Sequence, residues 1–91
     1  MTWKEPSVTI YGLPNCNQCD MTKRIFDREG VAYEYINMEE DDDAMAFVKD
    51  LGYLQAPVVI ARYPDGSETH WSGFLPNKIT GYALSAKSWS K

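Results

Sequence analysis

Little in this chain can hold a metal: of its 91 residues, two are cysteine and one is histidine. Tetrahedral zinc takes four ligands, and His70 lies far along the chain from Cys16 and Cys19. A shared zinc site, or a zinc- or redox-sensing interaction module built on it, is the weaker reading, and no metal is expected. Long apolar runs are missing too. No stretch approaches the ~20 residues of a membrane span, and Met1–Pro6 has no apolar signal core. Basic residues are outnumbered, nine Lys and Arg against thirteen Asp and Glu, for a net charge of −4. That balance argues against nucleic acid and anionic membrane as partners. A cytoplasmic location is therefore expected, where thiols are kept reduced. A cycling disulfide is then a better reading of the two cysteines than a structural one.

What is present is enough for one small domain over 1–91, with its core at about 7–86 and a frayed tail at 87–91. A 44% apolar and 24% charged composition is ordinary for a globular chain. Repeats and linkers are absent. The acidic run Glu39-Glu-Asp-Asp-Asp43 reads as a solvated loop and helix start, with a steering patch for a basic partner as the alternative.

Ser7–Tyr11 reads as a strand, and Gly12-Leu-Pro-Asn15 as a turn into a helix from Asn17 to Glu29. Thr22, Ile25, Phe26 and Glu29 share one face of that helix, and Gly30 stops it. Val31–Asn37 is β-branched and aromatic, hence a second strand. Ala44, Phe47, Val48 and Leu51 recur at helical spacing. Pro57–Ala61 is a continuous apolar run, as a buried strand requires. Tyr63-Pro-Asp-Gly66 is a tight-turn signature, so Ser67–Ser72 is the return strand of a hairpin. Ile79, Tyr82, Ala83 and Ala86 mark a last helix, with Pro76 in its first turn. The order is β-α-β-α-β-β-α in the α/β class. A parallel crossover followed by a hairpin makes a four-stranded mixed sheet flanked by three helices, the thioredoxin fold at glutaredoxin size. Its active site is expected at the carboxyl end of the first strand.

That end is where Cys16-Asn-Gln-Cys19 stands. A CxxC between a strand and a helix is a redox motif. At the helix start the unpaired N–H groups and the macrodipole favour a thiolate on Cys16, the expected nucleophile. Cys19, one turn inside, is the expected resolving thiol. Asn17, Gln18 and Asp20 are the residues placed to tune the pair. Asp20 opposes the helix terminus by setting a carboxylate within a turn of Cys16; plain first-turn helix stabilisation is its other reading. The first strand has no carboxylate to deprotonate Cys19. Pro57 heads a buried strand; in this fold a proline before the third strand is usually cis and faces the CxxC, exposing the backbone of Ala56 to an incoming peptide strand, and a plain trans proline at a strand start is the other reading. Trp71, Ser72, Gly73 and Phe74 follow the hairpin and complete the expected substrate rim. For Trp71, core and surface contact are both open. His70 reads as a strand surface residue, and Tyr11 either flanks the site or fills the sheet. The chemistry needs no cofactor.

Three segments carry a resemblance: Cys16-Asn-Gln-Cys19, Leu51-Gly-Tyr-Leu-Gln-Ala-Pro-Val-Val59 and His70-Trp-Ser-Gly-Phe74. With them the chain resembles the NrdH-type redoxins, glutaredoxin-sized electron donors to class Ib ribonucleotide reductase. The resemblance covers nearly the whole domain. It implies electrons passing from thioredoxin reductase through Cys16 and Cys19 to the disulfide of the reductase large subunit. It also matches Pro57 to the family's cis-proline. The family commonly continues Trp-Ser-Gly-Phe with Arg-Pro and an acid; here those positions hold Leu75 and Asn77, so that ion pair cannot form. A glutathione-dependent glutaredoxin and a general thioredoxin-like reductase are the alternatives. Against glutathione, Leu13 stands where glutaredoxins often carry a basic residue, and Ser72–Pro76 has no acid for the glutathione amine. Unpaired ligand charges there cost several kcal/mol.

Overall fold

The computed structural model describes residues 7–89, with backbone alone for 87–89. Strand β1 (Ser7–Gly12) leads into helix α1 (Asn17–Arg28), followed by β2 (Glu34–Asn37) and a single 3-10 turn at Met38–Glu40. Helix α2 (Asp42–Asp50), strands β3 (Val58–Arg62) and β4 (Glu68–Ser72), and helix α3 (Pro76–Trp89) complete the order. The sheet runs β2-β1-β3-β4. β1 and β2 pair in parallel, with Tyr11 beside Ile36. β3 pairs antiparallel with both β1 and β4, with Val59 beside Ile10 on one side and Trp71 on the other. This is the mixed four-stranded sheet with three helices that the order implied.

Strand alternation divides the core in two. Val8 and Ile10 of β1, Val59 and Ala61 of β3, and Trp71 of β4 pack with Phe26 of α1 and with Ile79, Tyr82 and Ala86 of α3. Val58 and Ile60 point the other way and pack with Met38, Ala44 and Val48. β3 is thus apolar from Val58 to Ala61 because both its faces are covered there. The two buried faces explain why a central strand shows no sequence alternation.

Two boundaries and one buried position differ from the sequence reading. β2 starts at Glu34 instead of Val31. The cause is the end of α1: Gly30 N–H donates to Asp27 O at 3.1 Å and Val31 N–H to Phe26 O at 3.0 Å. This Schellman closure commits the Val31 backbone to the helix, so it has no donor for a ladder. In α2, Ala44 and Val48 are buried, but Phe47 is 40% exposed. Its ring lies against Tyr11 with centroids 5.6 Å apart, at the margin of the core. The last helix runs to Trp89, past the expected end near Ala86; of the tail expected to fray, residues 90 and 91 lie outside the described residues, as does Met1–Pro6.

The acidic run has a local structural use. Asp41 is the N-cap of α2, its Oδ1 accepting from Ala44 N–H at 3.0 Å, and Asp42 and Asp43 fill the first turn. Those carboxylates face the positive end of the helix dipole. The hairpin turn is closed by Tyr63 N–H to Ser67 O at 2.9 Å. Two bonds from Ser67 hold the Asp65 carboxyl below its usual range.

Candidate active site

Asn15, at φ 58°, turns the chain out of the β1 loop, a conformation asparagine tolerates better than most residues. Cys16 follows as the N-cap of α1. Its Sγ accepts from Cys19 N–H at 3.1 Å, and its carbonyl accepts from Asp20 N–H at 3.1 Å. The sulfur thus takes the position a serine or aspartate oxygen usually takes at a helix start. A backbone N–H aimed at that atom, reinforced by the helix dipole, stabilises negative charge there. Cys16 is half-buried, whereas Cys19 is 1% exposed. The two form a disulfide, with Cα atoms 5.2 Å apart. One sulfur is reachable and the other shielded, the asymmetry a nucleophile and its resolving partner need.

Asp20 is exposed, and its carboxylate lies 3.5 Å from the Lys23 ammonium. A cation and water offset its field, which weakens the opposition to the helix terminus expected from the sequence. Lys23 also stands over the Tyr35 ring, 4.2 Å from the centroid.

The Ala56–Pro57 peptide bond is cis. Tyr11 pairs with Val58, so one step further Pro57 falls opposite Gly12, at the start of the loop that carries Cys16. On the other side, Ser72 pairs with Val58, and the ladder continues irregularly past it. Gly73 N–H donates to Pro57 O at 2.8 Å, and Ser72 Oγ donates to Gln55 O at 2.8 Å. Gly73 is buried at φ 87°, a left-handed conformation in which a side chain is strained. Phe74 N–H then donates to Gln18 Oε1 at 3.0 Å. Three successive residues of the 72–74 segment therefore reach the cis-proline loop and the redox helix.

Trp71 is the member of the sequence-expected rim that does not belong there. It is 4% exposed and packed among Val8, Ile10 and Val59, so it is core and offers no docking surface. Its Nε1 is buried and unpartnered among the described residues. Phe74 is half-buried against the same cluster. His70 is exposed as expected, but it is not isolated: its Nδ1 lies 2.7 Å from Tyr53 Oη, and the rings meet edge to face at 5.6 Å. That pair braces the Tyr53–Pro57 loop against β4. Sequence reasoning missed it, since nothing local links residues seventeen apart.

Sequence reasoning also missed an apolar groove of about 100 Å³ between α2 and this loop. Met38, Met45 and Val48 line it together with Leu13, Leu54 and Ala56. Leu54, three residues before the cis-proline, is 91% exposed, a large apolar side chain presented to solvent. Tyr11 packs on the sheet nearby, and burial raises its phenol above the ordinary value. Among the described residues no group of three or more His, Cys, Asp or Glu is placed to hold a metal ion. No helix of the described residues is long and apolar enough to cross a membrane.

A CxxC disulfide at the carboxyl end of β1, a cis-proline beside it and this sheet order define a thioredoxin-fold thiol–disulfide oxidoreductase. The comparisons narrow the class. Residues 8–62 match the glutaredoxin family model. The glutaredoxin-like protein NrdH of Salmonella typhimurium is 38% identical over 73 residues, 80% of this chain and 84% of that protein. The NrdH of Lactococcus lactis subsp. lactis is 30% identical over 76 residues, 84% of this chain and 99% of its own length. The solved structure of the NrdH-redoxin from Escherichia coli superposes with a TM-score of 0.74 at 35% identity, covering 82% of this chain and 92% of that one. The chain belongs to the glutaredoxin family, among its NrdH-type members.

Proposed function

We propose that this protein is a dithiol reductase of protein disulfides that carries electrons from thioredoxin reductase to the large subunit of a class Ib ribonucleotide reductase, in the cytoplasm. The reading rests on one observation above the rest: a half-buried Cys16 with a buried Cys19, beside a rim whose polar groups are backbone and uncharged side chains. The E. coli relative's structure is described as the basis of a thioredoxin-like activity profile, which favours the same direction.

In the reduced protein the Cys16 thiolate attacks a substrate sulfur. One substrate sulfur leaves as a thiolate and takes a proton, and a mixed disulfide joins Cys16 to the other. Cys19, deprotonated by water, attacks Cys16 Sγ and expels the second substrate thiol. The substrate gains two electrons and two protons, and the protein is left with the Cys16–Cys19 disulfide, which thioredoxin reductase reduces at the expense of NADPH. Ala56, held before the cis bond, offers its backbone to the substrate strand. The groove at Leu13, Leu54 and Ala56 accepts an apolar side chain beside it.

Lys49, the cation among the groove's lining residues, is the feature that favours the glutathione alternative. One comparison separates the two: NADPH oxidation in the presence of thioredoxin reductase against glutathione with glutathione reductase. Turnover is expected in the first system. Turnover confined to the second would overturn the reading. With the ribonucleotide reductase subunit, Cys19→Ser is expected to trap a mixed disulfide that Cys16→Ser does not form.

A further inference from the structure

The middle residues of a CxxC act on the sulfur pair by proximity, and for Gln18 the geometry points to a second task. We propose that Gln18 is a positioning residue that ties the redox helix to the substrate rim, and so sets the rim's place relative to Cys16. The inference rests on the peptide-docking role given above to the loop around Ala56 and Pro57.

Ser72, Gly73 and Phe74 each donate one hydrogen bond, in order, to Gln55 O, Pro57 O and Gln18 Oε1. The first two bonds join neighbours that β3 and β4 already bring together. The third crosses to α1, between residues 56 apart in sequence. A backbone N–H can only donate, so the Gln18 atom facing Phe74 is the amide oxygen. Gly73 makes the bond possible. Its φ of 87° turns the chain so that Phe74 N–H points to the helix, and a Cβ there would stand 3.6 Å from the same oxygen. Gln18 lies between the two cysteines. Its side chain therefore holds the rim to the segment that carries both sulfurs.

The consequence depends on the size of the disulfide. A peptide strand that pairs with Ala56 brings its sulfur to Cys16 only while rim and helix keep their spacing, because attack needs an aligned approach. A small disulfide reaches Cys16 without the rim. An effect through the sulfur itself changes both substrates alike.

Two variants separate these outcomes. Gln18→Met keeps the length and removes the acceptor; Gln18→Glu keeps an acceptor. For Gln18→Met, KM for insulin disulfides is expected to rise about fivefold, the equivalent of one net hydrogen bond, and KM for hydroxyethyl disulfide less than about twofold. Amide exchange at Phe74 is expected to quicken by a similar factor. Gln18→Glu is expected to restore both the insulin KM and the Phe74 protection, whatever its charge does to the thiol. An equal rise in KM for both disulfides would overturn the proposal, since Gln18 would then act at the sulfur. Unchanged exchange at Phe74 would overturn it through the bond itself. Faster exchange with a wild-type insulin KM would overturn it through the docking reading on which it rests.

Discussion

Gly12 closes β1 four residues before the reactive cysteine, and Gly12→Ala tests how tightly that end is packed. A Cβ at Gly12 would stand 2.7 Å from Tyr35 Cε1, where ordinary contact begins near 3.4 Å. Gly12 is paired to Asn37 in the β1–β2 ladder, so its backbone has little room to retreat. The Tyr35 ring must move instead, and Lys23 loses the aromatic face 4.2 Å beneath it. Overpacking of this kind costs about 1–3 kcal/mol, and an exposed cation–π contact is worth about 0.5–1 kcal/mol. Alanine's smaller entropy loss on folding offsets about 0.5–1 kcal/mol.

The net expectation is a loss of about 2 kcal/mol, or roughly 10 °C in Tm for a domain of this size. Urea unfolding of the oxidised protein reads it, with the slope m unchanged if the native fold is kept. The mechanism is isolated by a double-mutant cycle. In a Tyr35→Ala background the ring is gone, and Gly12→Ala should then be neutral or slightly stabilising, giving a coupling of about 2 kcal/mol. A stability within about 0.5 kcal/mol of wild type, or the same loss in both backgrounds, would refute the argument from steric contact.

Burial, with Tyr63 adding to it, pushes the Tyr82 phenol up to about 12 from 10.0. The fold favours the neutral form, so this contribution to stability is intact below pH 10.0 and lost as pH rises through about 12. Tyr82→Phe, which removes a 2.7 Å bond to Arg62 O, should cost about 1 kcal/mol at neutral pH and lose this part of the alkaline decline, read by unfolding at stepped pH. Asp41→Ala removes the N-cap of α2 and should lower stability by about 1 kcal/mol in thermal melts; an unchanged Tm would show that Asp42 and Asp43 suffice.

The parts of the fold legible in the sequence are those set by local period and local turn chemistry. Ile79, Tyr82, Ala83 and Ala86 lie at helical spacing, and all four are buried. The Pro57–Ala61 run reads as a buried strand because packing on both faces leaves no polar position. The CxxC shows its own geometry, since three residues on a helix start bring two sulfurs together. What escaped depends on partners distant in sequence. Trp71 is core because β4 pairs it with Val59, whose face looks toward α1 and α3. Without that register the residue reads equally well as a surface aromatic. Phe47 satisfies the helical period and is nonetheless 40% exposed, its ring meeting Tyr11 at the margin of the core and no second layer covering it. The bonds of Gln18 to Phe74 and Tyr53 to His70 join segments that no periodicity relates.

The division of labour at the redox end follows from where charge is placed. The sulfur pair is served by a helix start, which any member of the fold supplies. What surrounds it differs in charge from a pocket built for a charged tripeptide: the position three before Cys16 is Leu13, the position after Phe74 is Leu75, and the bonds holding the rim come from a serine hydroxyl and two backbone N–H groups. The acidic side chains that give the chain its net charge of −4 include Asp41, Asp42 and Asp43, which are used at the start of α2. An uncharged rim gains its affinity from main-chain pairing and apolar contact, which a peptide strand supplies along its length and a small charged thiol does not. On the proposed reading, selectivity belongs to the rim and reactivity to the helix, and the Gln18 side chain links the two.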